Sequence, residues 1–177
     1  MNPNEYMQAT RTTAIYPKEV AISYLTLGLV SEIDELQRAV FVANEQALVK
    51  ESGDVMWYIF RLFDELGVTV HQSWEHYTGE PVSLPLTFNI MFRNVAAVAD
   101  IVKKAIRDNA GIVPPTKVDT AGLALTVVLM CVGSLAKRQN ELYSTQLHTL
   151  EAYATVNIDK LTSRHNRGVI GGSGDDR

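Results

Sequence analysis

A single cysteine, Cys131, leaves this 177-residue chain without an internal disulfide, and a reducing cytoplasm is the compartment that implies. Positive charge is scarce too. Sixteen Lys and Arg stand against twenty Asp and Glu, so no broad basic face for nucleic acid is expected. The opening stretch MNPNEYMQATRTTAIYP lacks the apolar core of a secretory signal. The most apolar run, residues 121–135, is too short for a membrane span and reads as a buried helix. None of His71, His76, His148 and His165 follows a glutamate by three residues, which excludes the Glu-x-x-His pairs of ferritin-like di-iron bundles. HExxH, the Walker A loop and GxSxG are absent as well, removing the zinc-protease, P-loop and serine-hydrolase readings. Cys131 lies in an apolar helical stretch, a core position rather than a nucleophile's.

What remains is a folded chain, 46% hydrophobic and 20% charged, long enough for one domain and too short for two. Period-two alternation is rare and most apolar runs follow a 3.6-residue period, so the expected fold class is all-α. The pattern predicts helices from Pro17 or Lys18 to Asn44, from Glu45 to Leu66, and briefly from His71 to Tyr77. GEPVSLPL (79–86), with two prolines, breaks the chain. Further helices are expected at Thr87–Asp108, Asp119–Arg138 and Thr145–Asn166, followed by a glycine-rich tail, 168–177. The domain thus divides into an acidic half, 1–78, and a second helical half, 87–167, with a basic last helix.

Two acidic groups intrude on the apolar pattern. Glu32 and Glu35 are three residues apart, as are Glu51 and Asp54, and that spacing puts each pair on one helix face. Glu32 falls in the stripe Ile22, Leu25, Leu29, Leu36, Val40; Glu51 falls in the stripe Leu48, Val55, Tyr58, Leu62. Unpaired buried carboxylates cost several kcal/mol each and repel one another. Hard divalent cations such as Mg²⁺ or Mn²⁺ compensate naturally. Acidic pairs also decorate solvated helix faces, where Asp34 belongs, and spacing alone leaves both readings open. A faint echo lays residues 28–40 on 91–106, matching Glu32 to Asn94 and Glu35 to Ala97, and residues 51–59 on 120–128, matching Glu51 to Thr120 and Asp54 to Leu123. Duplication of a helical hairpin or chance similarity would each produce it.

The segments YLTLGLVSEIDEL (24–36) and KESGDVMWY (50–58) resemble the ExxE…ExxD signature of MazG-like nucleoside triphosphate pyrophosphohydrolases. TAIYP (13–17) and NIDKLTSRHNRGVIGGSGDDR (157–177) resemble the phage-type branch of that family. The resemblance implies an all-α bundle in which Glu32, Glu35, Glu51 and Asp54 hold Mg²⁺, with Mn²⁺ a substitute. It further implies hydrolysis of nucleoside or deoxynucleoside triphosphates to the monophosphate and pyrophosphate. A dUTPase-like or alarmone-cleaving specialist, or a non-catalytic nucleotide-binding regulator, are the alternative readings. Small relatives build their sites from two subunits, so a homodimer is implied, or one chain acting as a pseudo-dimer.

On the last helix Asn157, Lys160, Arg164 and Arg167 recur at spacings of three and four and form one ridge. Such a ridge suits a polyphosphate, although a cationic last turn also answers the helix dipole. With the resemblance, these four become substrate-contact candidates, and the Gly-Ser-Gly-Asp-x-Arg ending becomes a segment expected to fold over substrate. Lys50 is a further phosphate candidate, equally readable as a solvated lysine. Tyr58, one turn beyond Asp54, is a candidate for base stacking or a phosphate-bound water, with Trp57 and Tyr16 weaker ones; aromatics at helical spacing are more often core.

Overall fold

Helix α3 (Glu45–Leu66) is the axis of the molecule. Asn44 caps its start by accepting the Ala47 N–H at 3.0 Å, and Gly67 ends it in the left-handed conformation at φ +70°, so its limits are those the sequence predicts. Its burial exceeds one stripe. Ser52, Gly53, Met56, Trp57, Ile59, Phe60, Arg61 and Phe63 are buried along with Leu48, Val55 and Leu62, because other helices cover α3 on several sides.

The computed structural model describes residues 1–171 and is all-helical. Around α3 stand α1 (Pro3–Thr10), α2 (Ala21–Phe41), α4 (Leu84–Asp108), α5 (Pro115–Tyr143) and α6 (Leu150–Asn166), with short 3₁₀ turns at Arg11–Thr13, Lys18–Val20 and Trp74–Tyr77. Helices α2 and α3 form one hairpin and α4 and α5 another; α2 packs on α4, α3 packs on α5, and α6 and α1 lie against α3. The rings of Phe41 and Phe88, 6.1 Å apart, tie the end of α2 to the start of α4. The core is one continuous apolar cluster through all these helices, with Leu25, Ile33, Phe60, Met91 and Leu129 fully enclosed.

Several boundaries differ from the sequence expectation, each for a local reason. Helix α2 ends at Phe41, not Asn44, because Ala43 turns left-handed at φ 53° and Asn44 serves as the cap of α3. Helices α4 and α5 start early, at Leu84 and Pro115, since proline in a first turn forfeits no intrahelical bond. Helix α5 also runs on to Tyr143 and stops at left-handed Ser144. Residues 145–149 are connection rather than helix: Asn140 accepts from the His148 N–H and donates to the His148 carbonyl, and Thr149 caps α6. Only Trp74–Tyr77 of the expected short helix is helical, as a 3₁₀ turn. Helix α1 was not anticipated at all, although Asn2, Pro3 and Glu5 form a capping box with proline in the first turn.

At 29 residues α5 is long and apolar enough to cross a membrane, but 61% of its most apolar window is buried inside the bundle, as in a core helix. Cys131 is buried there, and burial pushes its thiol up to about 11, which fits core packing.

The two hairpins share a register of burial. With Glu32 laid on Asn94, buried Leu25, Thr26, Leu29, Ile33, Leu36 and Val40 fall on buried Thr87, Phe88, Met91, Val95, Val98 and Val102. With Glu51 laid on Thr120, buried Gly53, Val55, Met56, Ile59, Phe60 and Phe63 fall on buried Gly122, Ala124, Leu125, Val128, Leu129 and Val132.

Gly53 sets how closely α6 approaches α3. A Cβ there would lie 2.8 Å from the Asn157 Cβ and 3.1 Å from the Tyr153 carbonyl, contacts that only a shift of α6 can relieve. Alanine is the better helix former by about 1 kcal/mol. Overpacking nevertheless costs about 1–3 kcal/mol. Gly53→Ala is therefore expected to lower unfolding stability in urea; an unchanged or raised midpoint would contradict this packing.

Candidate metal and phosphate site

Glu32 and Glu35 come from α2, Glu51 from the facing turn of α3, and a carboxylate oxygen of each lies within 4.8 Å of the others. Glu35 is exposed, Glu32 is half-buried, and Glu51 is only 8% exposed. Burial, followed by the charges of Asp54, Glu35 and Glu51, pushes the Glu32 carboxyl up to about 8. Three ionised acids at this range repel one another, a repulsion that a divalent cation relieves. Asp34, the neighbouring acid, points elsewhere and pairs with Arg38 at 2.9 Å on the exposed face, as a solvated position should.

Asp54, one turn beyond Glu51, takes a different set of partners. Its Oδ1 accepts from Asn157 Nδ2 at 2.8 Å and from Lys160 Nζ at 2.7 Å, and its Oδ2 accepts from Lys160 Nζ at 2.5 Å. Gly53 lets α6 in, and α6 brings its amide and ammonium to the fourth acid. Asn157 is 1% exposed, with its other end, Oδ1, accepting the Tyr6 hydroxyl at 3.0 Å. Burial and the charge of Asp54 hold the Tyr6 phenol well above its ordinary range, so it stays a proton donor.

The four positions of the basic ridge differ in exposure. Lys160 is half-buried on Asp54, Arg164 is buried, and Arg167 is exposed at the helix end, its Nε donating to the Ser163 carbonyl at 3.3 Å. A helix seated this closely against α3 turns Asn157, Lys160 and Arg164 inward. Lys50 is half-buried on α3 beside Glu51. From residue 172 onward, the ending expected to fold over substrate lies outside the described residues.

Tyr58 rests against α2 where Gly28 leaves room; a Cβ at that position would collide with its ring. Its phenol is pushed well up by burial and by a hydrogen bond with Tyr24, with the charges of Glu32 and Asp54 adding to this. Tyr24 lies between Tyr16 and Tyr58, at centroid distances of 5.5 and 6.3 Å, so an aromatic row borders the acids. Trp57 is turned inward, Nε1 donating to Thr13 Oγ1 at 2.9 Å. Tyr16 belongs to a clamp around buried Arg61. It donates to Glu65 at 2.9 Å and accepts from Arg61 Nε at 2.8 Å, while Arg61 also pairs with Asp64 at 2.7 Å and with Glu65 at 2.8 Å. Both residues thereby fasten the segment before α2 to α3.

Over 85 residues the chain is 36% identical to the Gene 37 protein of Mycobacterium phage L5, a match taking in 38% of this chain and 75% of the phage protein. This chain belongs to the family of that phage protein. The family name carries no activity, so any chemistry must be read from the side chains themselves. No family model and no solved structure matches the chain.

The structure thus brings together Glu32, Glu35 and Glu51, and beside them Asp54, Asn157, Lys160 and Tyr58. Sequence reading missed Tyr6 and Tyr24. The capping box at Asn2 could have located the helix that carries Tyr6, but no local signal points its hydroxyl toward Asn157.

Glu32 gives the acids a pH signature. Below about pH 4.5 its carboxyl is protonated in both folded and unfolded chains. Between 4.5 and about 8 the unfolded chain releases this proton first, so the contribution to stability falls as pH rises and levels off above. Urea unfolding in EDTA should therefore fall more steeply over this window for wild type than for Glu32→Gln, and excess Mg²⁺ should flatten the difference. Equal slopes would contradict the crowding of Glu32.

Proposed function

We propose that this chain is a Mg²⁺-dependent pyrophosphohydrolase of nucleoside or deoxynucleoside triphosphates, of the MazG-like kind that its motifs resemble. One observation carries the reading: three carboxylates from α2 and α3 converge within 4.8 Å, beside a fourth that a lysine and an asparagine of α6 hold. The donor set fits Mg²⁺ or Mn²⁺, being all carboxylate oxygen without histidine or thiolate. Glu32, Glu35 and Glu51 would hold the ion, and Asp54 stands at the edge of the same acidic face. When bound, the ion neutralises phosphate charge and lowers the pKa of a water.

This chain's own residues supply the rest. Lys160 carries an ammonium seated on Asp54, where a triphosphate reaching that acid meets it. A carboxylate not fully engaged on the ion would take the proton of the attacking water. Tyr24, partly exposed beside Tyr58, offers a ring on which a base could stack. All these groups come from one chain. The shared burial register supports reading α4 and α5 as a degenerate copy of α2 and α3. Asn94, Ala97, Thr120 and Leu123 stand where the first hairpin has acids, so such a pseudo-dimer would hold one site.

Incubation with a panel of nucleoside and deoxynucleoside triphosphates and Mg²⁺ should release pyrophosphate and the monophosphate. EDTA should abolish turnover, and Glu51→Gln should lower it by at least about 100-fold. Inactivity on every substrate, or an unimpaired Glu51→Gln, would overturn the assignment. Saturable nucleotide binding without turnover would favour the regulatory alternative.

A further inference from the structure

We propose that Tyr6, on the N-terminal helix, is a positioning residue for the acidic site, its buried hydroxyl fixing the Asn157 carboxamide so that Nδ2 faces Asp54. The consequence for metal and substrate rests on the function proposed above; the positioning itself rests on hydrogen bonds alone.

A carboxamide can sit in either of two orientations of nearly the same shape, and its neighbours decide between them. Asp54, as a carboxylate, offers only acceptors. Facing it with Oδ1 would set oxygen against oxygen, so one orientation is needed. Asn157 is 1% exposed, which leaves no solvent to repair a wrong choice. The Tyr6 hydroxyl makes the choice from the other side, lying 3.0 Å from Asn157 Oδ1 and 3.4 Å from the Gly53 carbonyl. It has one proton to give, and the shorter contact takes it.

The hydroxyl is itself held. Tyr6 is fully buried, its ring meeting Phe60 edge-on at 5.0 Å and Trp74 at 5.9 Å. The Trp74 indole donates to the Met1 carbonyl at 2.7 Å, pinning the start of the chain. A path of direct contacts therefore runs from the N-terminus through Tyr6 and Asn157 to Asp54 Oδ1, the oxygen that also accepts Lys160. Without the Tyr6 proton, Asn157 Oδ1 becomes a buried acceptor with no strong donor. The carboxamide is then held from the Asp54 side alone, and the orientation in which Asp54 meets Lys160 loosens.

Tyr6→Phe removes the hydroxyl and keeps the ring. In the metal-free protein, hydrogen exchange of the Asn157 side-chain amide, read by ¹⁵N–¹H NMR, should accelerate about tenfold or more while the far-UV circular dichroism stays the same. Mn²⁺ affinity should fall toward the lower end of the roughly 10–100-fold range seen when partners of metal ligands are removed. In an Asn157→Leu background the same substitution should change Mn²⁺ affinity no further. Unchanged amide exchange in Tyr6→Phe, or an equal Mn²⁺ loss in both backgrounds, would overturn the proposal and leave Tyr6 a packing residue bonded to Gly53. If wild type binds no Mn²⁺, the functional reading fails while the amide measurement still decides the role of Tyr6. Should Tyr6→Phe fail to fold, a Tyr6 hydroxyl proton in wild type with a nuclear Overhauser effect to the Asn157 Nδ2 protons supports the same bond, and its absence overturns it.

Discussion

Four carboxylates on the face between two packed helices are the constraint around which the rest of this fold is arranged. Ionised groups at this density are costly when buried without partners, by several kcal/mol each. The molecule meets the cost in two ways. Asp54 is answered by Lys160 and Asn157, which requires α6 to lie against α3 and therefore requires glycine at position 53. Glu32, Glu35 and Glu51 crowd one another, and burial together with the neighbouring acids pushes Glu32 up to about 8. Asp54 is thus neutralised within the fold, while Glu32, Glu35 and Glu51 form the cluster proposed above to take a cation.

The remaining elements act as support. Arg61, buried under Tyr16, Asp64 and Glu65, fastens the segment before α2 to the last turns of α3, so the helix carrying Glu32 enters at a fixed angle. Helices α4 and α5 close the other side with apolar side chains in a register of burial matching the first hairpin, but without its acids.

Much of this was legible in the sequence. The 3.6-residue period gave the helical class and placed α3 at Glu45–Leu66, with Gly67 as its stop, because that signal is local. Spacing alone put Glu32 with Glu35 and Glu51 with Asp54. The division of labour among the four was not legible, since it depends on how near α6 comes, and that distance is set by a missing side chain at Gly53. The setting of the basic ridge on the last helix was illegible for the same reason. Spacing aligns Asn157, Lys160 and Arg164, but only packing decides that this face turns inward. Tyr6 could not be foreseen from local pattern, because its partner is Asn157, far along the chain.

The central claim is that Glu32, Glu35 and Glu51 together hold a divalent cation, and all three come from one chain. Anomalous diffraction from crystals grown with Mn²⁺ tests this most directly. The account predicts one strong manganese peak among these three carboxylates, at Mn–O distances of about 2.1–2.2 Å, by analogy with the short oxygen contacts of small hard cations. No peak there at millimolar Mn²⁺, or one only at surface acids such as Asp100 or Asp119, would contradict it.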